Sequence, residues 1–332
     1  MAALLQALLA VPEPLATIED GWHDDDVQLV DEVGVATPVR GGVVTSRRAS
    51  VAGDADDGAR ARAGPEGTVM GYDPAFLGSD IAPPSAPGDG GAGLDYTPFS
   101  LAQNTGRRLA WWVAWHIDGD RLLPGDSITR AGIRFRPDPR LPLDAQTRDV
   151  AAVEPVVGVD GVARRADLLW GPVEEAQQAN SDSFYFTNIT PQMDDFNQER
   201  LGGTWGLLEA AILSEEGLVP RRLTLFGGPV LAADDPPYRD LVQVPREHWK
   251  VVVYRLDEEL RFRCFVLTQE IDPAQRSAAD YLDEFDTYAL PIADLEARTG
   301  LSFPGLTDVA GVRDTLQAPG PVLVTSALDV RW

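Results

Sequence analysis

The sequence predicts an α+β domain preceded by an arm, and three observations carry that expectation. Apolar and aromatic strand-like runs mix irregularly with short helical stretches, without an internal repeat and without the rhythm of a doubly wound sheet. At 332 residues, 44% of them hydrophobic, the chain is long enough to bury a full core. Residues 1 to about 70 have a different texture: Gly, Ala, Asp and Arg dominate from Gly41 to Gly67, and Trp22 is the only aromatic. They read as a flexible acidic arm, residues 1–70, ahead of a folded body, residues 71–332.

Within the body, a Pro/Gly loop from Pro83 to Gly93 precedes the run Leu109 to Ile117, which is rich in Trp and β-branched residues and lacks polar alternation. Such a run reads as a central strand buried on both faces. Asp118-Gly119-Asp120 then turns the chain. Further strands are expected at Arg222 to Phe226, Lys250 to Tyr254 and Arg261 to Thr268. Helices are expected at Val173 to Asn180, at Trp205 to Leu213, and at Ile292 to Thr299, where Gly300 supplies a stop.

Charge bears on partners. The chain sets 52 Asp and Glu against 28 Lys and Arg, a formal charge of -24. Broad binding of DNA or RNA through phosphate needs a positive surface that releases counterions, so any nucleic-acid site here must be local. The arm holds 12 acidic and 5 basic residues, seven of the excess negative charges, and 17 remain on the body. Asp24-Asp25-Asp26 reads as a solvated acidic patch.

A lone cysteine, Cys264, excludes an internal disulfide and a cysteine-based zinc site, and its apolar surroundings Phe262 to Leu267 make it a core thiol. The opening Ala2 to Val11 lacks a positive n-region and is interrupted by Gln6, and no stretch approaches the ~20 apolar residues of a membrane span. A cytoplasmic protein without a membrane association is the expectation.

The densest polar and aromatic stretch runs from Arg164 to Glu209. Asn188, Gln192, Asn197 and Gln198 are amides in a segment apolar enough to bury them, so they either brace loops or coordinate something. Asn197 with Glu209 is compatible with a hard oxygen site for Mg²⁺, which takes few protein ligands and keeps its waters. The glycines Gly202-Gly203 break any periodicity argument for that pair.

In order along residues 71 to 310, the chain resembles the DNA/RNA non-specific endonucleases, the sugar-non-specific nucleases with a ββα-metal site. The resemblance rests on Gly71 to Leu77, Arg107-Arg108-Leu109-Ala110 with the Trp-rich strand, Asp138-Pro139-Arg140, and Arg164 to Gly171. Further blocks are Phe186-Thr187-Asn188-Ile189-Thr190-Pro191-Gln192, Phe196-Asn197-Gln198, Trp205 to Glu209, Phe226 to Leu231, Val244 to Val252 and Arg298-Thr299-Gly300-Leu301. It implies a mixed, antiparallel-rich sheet core with a β-hairpin and a helix. In that family a His in an Asp-Arg-Gly-His motif on the hairpin is the general base, and an Asn on the helix holds one Mg²⁺, with Mn²⁺ as an alternative ion. The resemblance assigns the metal ligand to Asn197 and the supporting carboxylate to Glu209. It assigns substrate contacts to Arg164, Arg165, Asn188 and Gln192, and substrate-clamping arginines to Arg130 or Arg134. The partner it implies is DNA or RNA; a homodimer and a protein partner for the arm are further expectations.

The base is missing. Counting back from Arg164-Arg165, the motif falls on Gly158, Val159, Asp160 and Gly161, so Gly161 stands where the His belongs and Val159 where the Arg belongs. His23 lies in the arm, and His116 and His248 lie beside core tryptophans, where a structural role is expected. Three readings follow: a degenerate nuclease that keeps a metal- and nucleic-acid-binding scaffold, an active Mg²⁺-dependent endonuclease with another base such as Asp160, and an acidic protein-interaction module.

Overall fold

In a computed structural model of the chain, the described residues are 71–88, 90–124, 127–147, 157–193, 222–238, 242–256, 258–269 and 287–324. Along the chain come β1 (Ala92–Asp95), β2 (Ser100–Asn104), β3 (Leu109–Asp118), β4 (Val157–Gly161), α1 (Arg165–Leu168), α2 (Val173–Asp182) and β5 (Ile189–Met193). They are followed by β6 (Arg222–Pro229), β7 (Pro237–Tyr238), β8 (Val242–Gln243), β9 (Glu247–Leu256), β10 (Glu259–Thr268), β11 (Thr287–Leu290), α3 (Ile292–Thr299), α4 (Pro304–Thr307), β12 (Val312–Asp314) and β13 (Val322–Leu323). The arm and the Trp205 to Leu213 helix expectation lie outside the described residues.

Nine of these strands form one sheet in the order β1-β2-β3-β6-β9-β10-β11-β13, with β12 added to β10. The ladders are antiparallel except β10 with β12. The expected mixed, antiparallel-rich α+β architecture is therefore the one observed. β3, β6, β9 and β10 are each flanked on both sides, which is why their central residues are mostly aliphatic, β-branched or aromatic.

Both faces of the sheet are covered. On β9 and β10 the residues Trp249, Val251, Val253, Phe262, Cys264 and Val266 face one core, while Val252, Tyr254, Phe265 and Leu267 face the other. Over most of both strands the period of two is an alternation between two cores rather than between core and water; only the start of β10, with Glu259, Arg261 and Arg263, carries a polar stripe. Residues Tyr72, Phe76 and Ile81, with α3 and α4, close the first core. Val162, Ala163, Leu168 and Ala179, around α1 and α2, close the second. Cys264 is buried and unoxidised, as its surroundings predict.

The helices follow local rules. α2 begins after Pro172 and runs two residues past the expected Asn180, and α3 covers the expected span, ending where Gly300 adopts φ 71° in the left-handed region. The Asp118-Gly119-Asp120 turn is a single short helical turn, Gly119–Arg121. Among the described residues no helix is long and apolar enough to cross a membrane.

Candidate functional site

β4 and β5 form a two-stranded ribbon outside the main sheet, with Gly161 opposite Ile189, Asp160 opposite Thr190 and Gly158 opposite Gln192. Neither strand is evident from propensity: β4 is Gly-Val-Asp-Gly-rich and β5 carries Pro191. Thr190 Oγ1 and Pro191 O tie β5 to the rest of the domain. Thr190 Oγ1 lies 3.0 Å from His248 Nε2, and the Gln269 amide donates to Pro191 O at 3.4 Å and Pro245 O at 2.6 Å.

Asn188, immediately before β5, is wholly buried. Its Oδ1 accepts from Ala163 N at 3.0 Å, and its Nδ2 donates to Ala163 O and Ser183 O, both at 3.1 Å. Its backbone oxygen accepts from Val162 N at 2.7 Å. An amide with this many protein partners braces the turn between Gly161 and Arg164.

The same amide closes the motif position. A Cβ placed on Gly161 would stand 2.8 Å from Asn188 Nδ2 and 2.8 Å from the backbone oxygen of Ala163. One of these is main chain, so no side chain enters at 161 without a backbone shift.

The arginines that follow are built into the wall behind the ribbon. Arg165 Nε donates to Asn180 Oδ1 at 2.5 Å on α2, and its guanidinium also donates to Ile128 O. Asn180 in turn donates to Thr129 O at 3.0 Å. Arg164 is half-buried at the start of α1. Asp167, buried on α1, accepts from Trp115 Nε1 at 3.0 Å, and Trp170 Nε1 donates to His116 O at 3.0 Å. Arg130 is half-buried and Arg134 exposed, on the loop that supplies Ile128 O and Thr129 O. Phe135 follows them and packs its ring against Phe184 and Phe186, just ahead of the ribbon. The structure thus brings Gly161 and Asn188 together and ties Arg165 to Asn180 and the 128–135 loop.

Gln192 differs from Asn188. It is buried on β5, yet neither atom of its amide has a hydrogen-bond partner. A buried amide left in this state is costly and calls for an explanation.

A polar network that the sequence did not reveal lies next to the ribbon. Tyr96 donates to Asp138 Oδ2 at 2.5 Å and lies 2.6 Å from Thr187 Oγ1, while Arg140 grips the same carboxylate through Nε and Nη2. Burial alone would raise the Asp138 carboxyl; the bonds from Arg140 and Tyr96 outweigh it and hold it below the usual range. Burial, with the Asp138 bond, pushes the Tyr96 phenol up. The Asp138-Pro139-Arg140 block of the resemblance supplies two of the network's members.

Both described histidines are structural. His116 Nε2 accepts from Asp73 N at 3.1 Å and its ring stacks on Tyr72 and Phe76. Burial, aided by nearby Arg222, lowers it to about 3. His248, behind Thr190, is lowered by burial to about 3. At neutral pH both rings are held neutral, and a base with so low a conjugate pKa is a weak one.

Asn197 and Glu209 lie outside the described residues. Among the described residues no group of three His, Cys, Asp or Glu comes together, and the described polar side chains of β5 are the neutral ones of Thr190 and Gln192. These do not by themselves make a divalent-ion site.

The DNA/RNA non-specific endonuclease model matches residues 77–310, which contain the ribbon, its supporting helices and all of the main sheet but β12 and β13. The chain belongs to the DNA/RNA non-specific endonuclease family. Nuclease C1 of Cunninghamella echinulata is 25% identical over 70% of this chain and 91% of its own length. The nuclease of Serratia marcescens is 26% identical over 66% of this chain and 76% of its own. An uncharacterised protein of Sinorhizobium fredii, y4fB, is 29% identical over 63% of the chain. The chain spans 31% of y4fB and 62% of the mitochondrial nuclease EXOG of Danio rerio. In fold the domain resembles a chain of the EndoG/EndoGI complex, with a TM-score of 0.52 at 17% identity, covering 68% of this chain and 90% of that one. The family is of the metal-dependent ββα type.

Proposed function

We propose that this endonuclease-family domain is a degenerate nuclease, with weak or no phosphodiester cleavage, that keeps a scaffold for nucleic acid. The observation that carries the reading is Gly161, which stands at the position of the family's general base and whose side-chain space is taken by Asn188 and Ala163 O. A positioned general base contributes about 10²- to 10⁴-fold, so its loss leaves at most slow metal-dependent hydrolysis. On this reading Asn197 holds Mg²⁺ or Mn²⁺, Glu209 supports its waters, and the ion would polarise the scissile phosphate. Arg164 and the arginines of the 128–135 loop, Arg130 and Arg134, would meet phosphate oxygens, local cations on an otherwise acidic body. The acidic arm is assigned to a protein partner.

A second reading, an active endonuclease with another base, draws on Asn197, Glu209 and the unpartnered amide of Gln192. Fluorescence anisotropy with single-stranded and duplex oligonucleotides, run with Mg²⁺ and with chelator, tests the scaffold. The degenerate reading predicts salt-sensitive binding that weakens in Arg134→Ala. Absence of binding at low salt contradicts it. Gln192→Leu discriminates further: it is expected to leave stability unchanged or higher, because the amide makes no bond, and to weaken oligonucleotide binding if Gln192 serves substrate.

A further inference from the structure

On the flank of the ribbon the structure gathers apolar side chains that stay half-exposed. Phe135, Phe186 and Leu231 lie over a small core of Leu109, Ile189 and Val242, separate from the two cores of the main sheet. Ile189 stands opposite Gly161 in the ribbon, so this surface adjoins the motif position. Its two rings are nearly parallel, with centroids 6.3 Å apart and an angle of 15° between their planes. A planar group stacked on one ring therefore runs parallel to the other.

The rings are held in place before any ligand arrives. Arg136 N donates to Phe184 O at 3.0 Å and Phe186 N donates to Arg136 O at 2.9 Å, which fixes segment 134–136 alongside segment 184–186. Phe184, itself buried, packs its ring 5.0 Å from that of Phe135. Such pre-organisation spares part of the ordering cost of binding. Cations border the rings. From Ser127 to Pro137 the chain has three arginines, Arg130, Arg134 and Arg136, and no Asp or Glu, in contrast to the acidic excess of the body. Arg136 is pinned there, its guanidinium carbon 4.0 Å from the Tyr185 ring centroid and its Nη2 donating to Ser181 Oγ at 2.9 Å. Half-exposed rings bordered by arginines are the composition of a surface that holds unpaired bases.

We propose that this surface is a stacking platform for an unpaired nucleic-acid base and that it turns the domain toward single strands. A base would lie on the rings of Phe135 and Phe186 while the phosphates beside it meet the arginines of segment 130–136. In a duplex both faces of each base are covered by its neighbours, so a paired base reaches the rings only after it is unstacked and turned out, at a cost that an unpaired base does not bear. The inference rests on the reading of the domain as a nucleic-acid scaffold and adds to it a preference between strands.

Fluorescence anisotropy of the full chain, at low salt and in chelator, tests it with three labelled probes: an oligothymidine strand, the same strand paired with its complement, and an abasic strand of equal length. The single strand is expected to bind at least about tenfold tighter than either control, within the range of about 5- to 150-fold that one stacked base contributes. Phe135→Leu and Phe186→Leu keep the apolar packing and remove a ring. Each should weaken the single strand at least about threefold, leave the abasic strand unchanged and retain a cooperative melt. Phe186→Trp should bind the single strand as tightly as the wild type or tighter. Equal binding of all three probes, or full single-strand affinity in both Leu variants, overturns the platform and leaves the scaffold reading standing. No binding of any probe overturns both.

Discussion

The ribbon and the wall behind it treat polar groups in opposite ways. In the wall, charged and polar groups are matched: Arg165 with Asn180 and Ile128 O, Asp167 with Trp115, Asp138 with Arg140 and Tyr96. In the ribbon, Gly161, which the resemblance aligns with the family's base, is packed against an amide. On the proposed reading, the polar braces are kept where the family's base is not.

The wall is the place to strike first. Asp138→Ala would strip a buried carboxylate from Arg140 and Tyr96. Because Arg140 itself is half exposed, the cost falls at the low end of the range for breaking a buried pair, about 3 kcal/mol. Urea unfolding should show a loss of that order; a loss below about 1 kcal/mol would mean that the wall tolerates defects as readily as a surface loop.

Acid acts on the same scaffold. The buried imidazoles of His116 and His248 are lowered to about 3, whereas an unfolded imidazole titrates at about 6.5. Between those values the unfolded chain binds more protons, so their contribution to stability is full above about pH 6.5 and falls as the pH drops toward about 3. Lowering the pH from about 7.5 to about 4.5 should cost on the order of a few kcal/mol for each. Burial raises the carboxyls of Asp182, Asp235 and Asp314, which offsets part of this loss. The specific readout is therefore NMR: the ring signals of both histidines should stay flat over that range, and a midpoint of about 6 for either would contradict their burial.

A smaller effect is expected at the ribbon. Gly161→Ala places a methyl 2.8 Å from Ala163 O and Asn188 Nδ2, an overpacking that costs about 1–3 kcal/mol. An unchanged melting temperature would show that position 161 is open after all. The same crowding means that Gly161→His is not a simple restoration of the family base.

Much of this was legible in the sequence. Strands β3, β6, β9 and β10 announce themselves as β-branched and aromatic runs, and α3 is bounded by Pro291 and Gly300. The ribbon strands were visible only through the family resemblance, because Gly and Pro erase the local strand signal. Counting from Arg164-Arg165 found the glycine at 161, but not the reason a side chain is excluded there, since Asn188 is brought in by the fold from beyond α2. The partners of Tyr96 lie 42 and 91 residues away, and no local rule relates them. The four-residue runs β1 and β11 and the shorter β12 and β13 were not foreseen, being held by their neighbours in the sheet rather than by their own composition.

Whether this domain keeps the nuclease scaffold without an efficient base is decided by the rate of plasmid cleavage with saturating Mg²⁺ or Mn²⁺, set against a chelator control. A degenerate nuclease should run at least about 10²-fold below the Serratia marcescens nuclease assayed alongside. A comparable rate, abolished by chelator and by Asn197→Ala, would contradict that reading.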